Sequence, residues 1–567
     1  MKSKKSNRII QFFKEFKRRK VGRVLIAYAG IAAIIIGIIP IIEEELNLPP
    51  TTSTIILILL IIGLPIAGVL TWGYQMKSKE EKLPEKKDNN KDETFLEKQN
   101  PPEKSIVVLP FENISSDPEQ EYFSDGLTEE IITDLSHIQD LLVISRNSAM
   151  TFKGTNKKVK EIANDVNVQY ALEGSVRKSG NNLRISAQLV DASTDTHLWT
   201  EKYGGTIDDI FDIQEKVSRS IVSALKIKLT PKEDKSIAEN SINNIQAYEC
   251  YLKARQEMWK FTEEGLDRAK THIESGMQIL GDNELLFIAK GLIYTQYINF
   301  GLNKDRRLLD NAEDCVLKAL DLNPESSMGY YLLGFIDVWK PDMKNAANNM
   351  KISLKHNPNN SDTLNMLAYW YALSGKSSQA EPLFRRAFKF DPINPLIYGF
   401  YSVAKMYEGD IETALQYINK SLQINSDNPL MRITHAFLLA YSGQLDDVYI
   451  IIDQMINDFP KSPYTQLGLF FKYAIQGNKT EALNSATKEL KLAMRDNNYY
   501  PMRIAECYAL IGEKDIAIDW VENATQWDLR HFHYLNEHTP FLDSIRDEPG
   551  YKKLMKKVKK EWEAFDI

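Results

Sequence analysis

Cysteine is almost missing from this chain: three in 567 residues, Cys250, Cys315 and Cys507, widely separated and with no CxxC. That excludes a disulfide framework and a cysteine-built zinc site, and points to a reducing compartment. A phosphate loop is missing as well. Gly477-Asn478-Lys479-Thr480 ends like one, but it lacks the first glycine of GxxxxGK[ST] and a preceding apolar strand, so it reads as a turn between helices. Histidine is scarce, and the one close group, His531, His533 and His538, includes an i, i+2 pair that points apart on a helix. No Ser/His/Asp, Cys/His or paired-carboxylate constellation can be placed. The expectation is no enzyme, no catalytic residue, no cofactor and no metal. Net positive charge is missing too, the chain standing at −7. Residues 1–23 carry ten Lys or Arg against Glu15 alone, so the remainder stands at −16 and should repel nucleic acid.

Apolar length, by contrast, is present. Residues 24–42 and 55–74 each have about the length needed to cross a hydrocarbon core of ~30 Å as a helix. The connector between them contains no basic residue, whereas ten precede the pair and Lys77, Lys79, Lys82, Lys86 and Lys87 follow it. By the positive-inside rule this predicts a two-helix transmembrane hairpin over 24–74 in the inner membrane, with everything after it cytoplasmic. Ahead of it Ile9, Phe12, Phe13 and Phe16 fall at helical spacing among lysines and arginines, so 1–23 reads as a basic amphipathic segment. Residues 75–104, charged and containing Pro84, Pro101 and Pro102, read as a flexible tether.

From Ser105 strands and helices alternate. Residues 105–111 read as a buried strand, 127–138 as a helix opened by Ser124-Asp125-Gly126, 141–145 as a strand and 159–166 as a helix. Two long strands over 169–178 and 183–191 are joined through Ser179-Gly180-Asn181-Asn182, a hairpin signal, and 196–202 continues the edge. A closing helix presents Ile210, Ile213, Val217, Ile221 and Leu225 on one side. Asp117, Glu119, Asp125, Glu129 and Glu130 cluster around the start of the first helix, where carboxylates suit the helix dipole. The stretches "SIVVLPFENISSDPEQEYFSDGLTEEIITDL", "ISRNSAMTFKG" and "YALEGSVRKSGNNLRISAQLVDASTDTHLW" resemble the TolB N-terminal-like domain, related to the CsgG and FlgO type, over residues 105–229. In bacteria such domains precede helical repeats in membrane-bound cyclase-like and transcription-regulator chains. The effector domain of those relatives has no room here, since the 104 preceding residues read as spans and tether.

After a linker at 230–244 comes an array. Gly375, Gly409, Gly443 and Gly477 are 34 residues apart, as are Pro324, Pro358 and Pro392. Leu364, Leu367, Ala368, Tyr371, Gly375, Ala380, Phe384, Ala387 and Pro392 fall at the offsets of the tetratricopeptide (TPR) signature. Small residues recur where the two helices of each unit cross: Gly334, Ala368, Ser402 and Ala436 on the first, Ala346, Ala380, Ala414 and Ala482 on the second. This predicts an all-α solenoid of about eight units over 245–527, and a capping region over 528–567.

The TPR resemblance implies a concave face built by the first helices. The positions that line it carry Tyr331, Phe335 and Trp339 in one unit, Asn365, Tyr369 and Leu373 in the next, then Ile433, Phe437 and Tyr441, then Leu467 and Phe471. Spacing i, i+4, i+8 puts each set on one side of its helix. One reading makes these a partner-binding groove for a protein or peptide with an apolar or aromatic segment. The other makes them packing against the neighbouring repeat or the capping region. The expected function is a membrane-anchored TPR adaptor that recruits a protein partner. Its alternative is a signalling subunit regulating a separate cyclase or transcription effector, with the 105–229 domain as ligand sensor.

Overall fold

A computed structural model describes residues 100–565, except 239–241, 261, 300–301, 304 and 497–498. The hairpin expected at 24–74, the basic segment before it and the tether up to residue 99 lie outside the described residues. Among the described residues no helix is long and apolar enough to cross a membrane. The fold class, expected to include a transmembrane hairpin, is therefore corrected to a mostly helical, TPR-like solenoid with an N-terminal sheet region. The multi-pass inner-membrane localisation and the two-span anchoring drawn from that hairpin are corrected with it. The physical reason is visible in the described helices, which bury one stripe and keep charge on another. The helix Arg307–Leu322, for example, buries Leu309, Ala312, Val316 and Ala319 and leaves Asp310 and Asp314 exposed.

The sheet region comprises β1 (Ser105–Val108), β2 (Glu112–Asn113), β3 (Leu142–Val143), β4 (Tyr170–Ser179), β5 (Asn182–Asp191) and β6 (Thr196–Thr206). Its order is β3-β1-β4-β5-β6, with β2 paired to β4. β1 lies parallel to β3 and β4, while β4, β5 and β6 form an antiparallel meander. Gly180, at φ 57°, takes the first central position of the two-residue turn between β4 and β5, the place where a type II′ turn needs a positive φ. Along β5, Leu183, Ile185, Ala187 and Leu189 are buried in alternation with Arg184, Ser186 and Gln188, so one face of the sheet carries the core. Against it pack α1 (Glu121–Ser136) and the amphipathic α4 (Ile210–Ala224), which buries Ile210, Ile213, Val217 and Ile221. Short helices α2 (Arg146–Met150) and α3 (Val159–Asp165) complete the unit.

Two details differ from the sequence reading. α1 starts six residues before Leu127, because Asp117 accepts from the Glu119 amide at 2.9 Å and opens a 3-10 turn that runs into the helix. Gly126 thus sits inside α1, where a Cβ would come within 2.5 Å of Leu252. And α2, capped by the Ser145 hydroxyl, follows a strand of only two residues.

After α5 (Pro231–Ala238) come antiparallel hairpins of helices: α6 (Ile245–Met258) with α7 (Glu263–Leu280), α8 (Glu284–Asn299) with α9 (Arg307–Leu322), α10 (Ser327–Val338) with α11 (Met343–His356), α12 (Ser361–Leu373) with α13 (Ser377–Phe390), α14 (Pro395–Tyr407) with α15 (Ile411–Ile424), and α16 (Pro429–Tyr441) with α17 (Leu445–Asp458). α18 (Pro463–Ile475) pairs with a second helix broken at Ala486 into α19 (Lys479–Ser485) and α20 (Lys488–Met494). α21 (Tyr500–Leu510) and α22 (Lys514–Gln526) form the next pair, and α23 (Pro549–Ala564) ends the fold. The recurrent glycines have a backbone cause. Gly375, Gly409, Gly443, Gly477 and Gly512 have φ between 69° and 83°, and around the first the amides of Gly375 and Lys376 return to the Ala372 and Tyr371 carbonyls. That is a Schellman stop, in which a left-handed residue without a Cβ ends the helix most cheaply. The small crossing residues also have a cause: a Cβ on Gly334 would lie 2.9 Å from the Ala346 carbonyl, and Ser402 donates to the Ala414 carbonyl at 2.7 Å.

The sheet region and the solenoid share one apolar core. α1 packs on α6, with Gln214 donating to the Tyr248 hydroxyl at 2.8 Å beside them. α2 reaches further along the array, to the loop after α13. The Ser145 amide donates to the Phe390 carbonyl at 2.8 Å, and the Ser148 amide and hydroxyl donate to the buried Asp391 carboxylate at 3.1 and 2.5 Å. The superhelix therefore turns back far enough for its first and fourth hairpins to touch the same small domain.

Candidate functional site

The residues singled out from the sequence lie on α10 and its C-cap Trp339, α12, α16 and α18, and their environments differ. Asn365, Leu373, Ile433, Phe437, Leu467 and Phe471 are buried; Tyr331, Phe335, Trp339, Tyr369 and Tyr441 are half-buried. Phe437 and Phe471 stack with ring centroids 3.8 Å apart, and Tyr369 stacks on Phe400 at 4.7 Å. Tyr331 and Phe335 lie side by side on α10 with centroids 6.5 Å apart.

What covers the middle of this face is the chain's own segment between α22 and α23. Its Asp528 carboxylate accepts from the Met343 amide at 2.9 Å, at the start of α11. His531 then passes Gly375, where a Cβ would lie 3.3 Å from its ring. His538 Nδ1 donates to the Tyr407 carbonyl at 2.8 Å, and Phe541 packs against Tyr441 and Phe471 with centroids at 5.2 and 5.8 Å. The segment so touches five successive hairpins in chain order, as a strap laid along the array. Thr539 donates to the Tyr534 carbonyl and Tyr551 to the Leu535 carbonyl, which fixes its turns from within. Two of the three clustered histidines are thereby engaged in packing and hydrogen bonding, and burial, helped by His538 and His533, pushes His531 down to about 3.

Under the strap lies a buried ion pair. Arg503 and Glu506 on α21 are fully buried, 3.2 Å apart, inside a box of aromatic rings: the Arg503 guanidinium stands 5.1 Å from the centroids of Phe437 and Tyr499 and contacts Tyr534 of the strap. Its Nη1 donates to the Tyr441 hydroxyl at 2.6 Å, and that hydroxyl donates to Glu506. Burial pushes the Glu506 carboxyl up to about 6, against the pull of Arg503. These residues were missed from sequence, yet a signal existed. With the one-residue insertion before Gly512, Glu506 stands at the repeat position of Phe471 and Phe437, so a charge had entered an aromatic column.

Residues 102–220 match the family model described as the HilA/YgeH-like transcriptional regulator, second domain. The "Putative adenylate cyclase 3" of Rhizobium meliloti is 36% identical over 240 residues, covering 42% of this chain and 41% of that protein. The transcriptional regulator HilA of Salmonella typhimurium is 19% identical over 395 residues, 68% of this chain and 62% of its own. The chain thus spans less than two thirds of the length of these curated relatives. Among solved structures, pilF of Pseudomonas aeruginosa is 18% identical, covering 37% of this chain and 91% of its own at a TM-score of 0.30, a level that carries no argument. The similarity to a cyclase-like and a regulator protein expected from sequence is therefore present. The TolB-type resemblance of 105–229 is not confirmed, the match there being to the regulator domain.

Proposed function

We propose that this chain is a protein-interaction scaffold without catalytic activity, whose TPR-like array holds an apolar or aromatic segment of a protein partner on its concave side. The observation that supports this reading is the strap: a segment bearing His531, Tyr534 and Phe541 already lies against the array across five hairpins. A surface that accepts such a segment in cis has the shape and chemistry to accept one in trans. The stretch before the strap begins, Tyr331 and Phe335 on α10 with Trp339 at its C-cap, keeps aromatic rings half-buried. A photoreactive residue at Phe335 should give a discrete heavier adduct in cells, which the same residue at exposed Asn419 on α15 does not give. Identical adducts at both positions, or none at Phe335, would remove the groove reading. A second reading, a regulatory subunit acting on a separate effector, is favoured by the identity with the Rhizobium cyclase-named protein.

A further inference from the structure

Between the sheet region and the first hairpin, α1, α2 and α6 enclose a cleft of about 260 Å³. Its polar floor is Glu129 on α1, held from both sides by guanidinium groups: Arg146 on α2 donates Nε to it at 2.8 Å, and Arg255 on α6 reaches its other oxygen. One carboxylate accepts from one nitrogen of each guanidinium, Arg146 Nε and Arg255 Nη2. The cleft's other acid, Asp125, is engaged by Lys153 at 2.6 Å, which also meets Glu121 at 2.7 Å. The Nε of Arg255 is buried and has no hydrogen-bond partner. A buried donor left without an acceptor is costly, and native structures seldom keep one without a use. Burial and the neighbouring Arg255 push the Arg146 guanidinium below its usual range, against the pull of Glu129, while Glu129, Tyr251 and Glu130 hold Arg255 above its own despite burial. The walls are apolar and flat. The Arg146 guanidinium lies 4.3 Å over the ring of Trp259, which is 38% exposed, and Tyr122, Met150 and Leu252 line the rest.

Charge and size limit what fits. Two guanidiniums at the floor suit an anion, and a monoanion brings less negative charge beside Asp125 and Glu129 than a phosphate dianion would. The planar edge of a guanidinium matches a carboxylate with paired hydrogen bonds. At about 30 Å³ for the share of one water in the liquid, the space takes the equivalent of roughly nine waters, too little for a nucleotide or a folded peptide. We propose that this cleft binds a small aromatic carboxylate, its carboxylate on Arg146 and Arg255 and its ring against Trp259. Because α1 and α2 belong to the sheet region and α6 to the array, the ligand joins the two. This site is separate from the concave groove and does not depend on a protein partner.

The test is a calorimetric titration of the full chain with phenylacetate. Saturable binding at one site per chain is expected, with phenylacetamide weaker by about tenfold or more for want of the charge-assisted hydrogen bonds. Trp259→Leu should weaken phenylacetate binding by a similar factor without moving the melting temperature, because that ring is partly exposed. Glu129→Gln leaves both arginines short of an anion: it should lower the melting temperature, and phenylacetate should restore it along a saturation curve that phenylacetamide does not reproduce. No saturable heat, equal binding of acid and amide, or undiminished binding to Trp259→Leu overturns the proposal. Should Glu129→Gln fail to fold, the amide comparison and the Trp259→Leu titration decide alone.

Discussion

At the scale of single residues, two carboxylates and one ring give sharp expectations. Arg503 and Glu506 are fully buried, so removing one partner leaves a bare buried charge. Arg503→Ala should cost about 3–5 kcal/mol in chemical denaturation, while the double change Arg503→Met with Glu506→Leu should recover most of that. Equal losses for single and double variants would mean that packing, not charge, governs the site. Phe437, fully buried and stacked on Phe471, should cost about 3–5 kcal/mol as Phe437→Ala. Glu130 on α1 behaves differently. Burial, with Asp134 and Glu129 nearby, raises its carboxyl to about 8. A raised acid contributes stability that is complete below its unfolded value and is lost as pH climbs through the folded one. The chain should therefore lose stability between about pH 5 and 8, and Glu130→Gln should flatten that slope in melting curves; an unchanged slope counts against it. The sequence showed these acids and explained them by the helix dipole. It could not show Arg146 and Arg255 converging on Glu129, since those partners lie 17 and 126 residues away.

At the scale of elements, the 34-residue glycine column was legible because it is a local backbone requirement, a left-handed stop after each first helix. The aromatic faces were legible for the same reason, a period of 3.6 on one helix. Their covering was not, because the strap comes from 70 (Phe541 less Phe471) to 185 residues away and its sequence carries no periodic mark. The glycines now separate the two effects. Gly409 and Gly443 have nearly the same φ, 83° and 79°, but a Cβ at Gly409 would lie 3.1 Å from the His538 ring, and one at Gly443 meets open space. Gly443→Ala should cost about 1 kcal/mol for the backbone alone, and Gly409→Ala clearly more. Adding His538→Ala should bring the two costs together; a gap that persists would show that the strap is not seated on that turn.

At the scale of the whole molecule, the sheet region is tied to the array at two distant places, α6 and the loop after α13. Asp391 is the buried acceptor of the second tie, its carboxyl raised by burial and pulled back by the surrounding serines and asparagines. Asp391→Leu should free that end and split calorimetric unfolding into two transitions where the unaltered chain shows one; a single transition would mean that α1 on α6 suffices. Alternation of apolar residues placed the strands and helices of both parts correctly in kind. How they close on each other depends on contacts more than 240 residues apart, which periodicity does not encode. The strap has a mechanical counterpart to all this. An open solenoid is a spring, stretching by small rotations between neighbouring hairpins, each yielding in turn under load. A tie fastened to five hairpins in succession makes that stretch inextensible. Pulled from its ends, this part of the array should resist stiffly and then give way as one block.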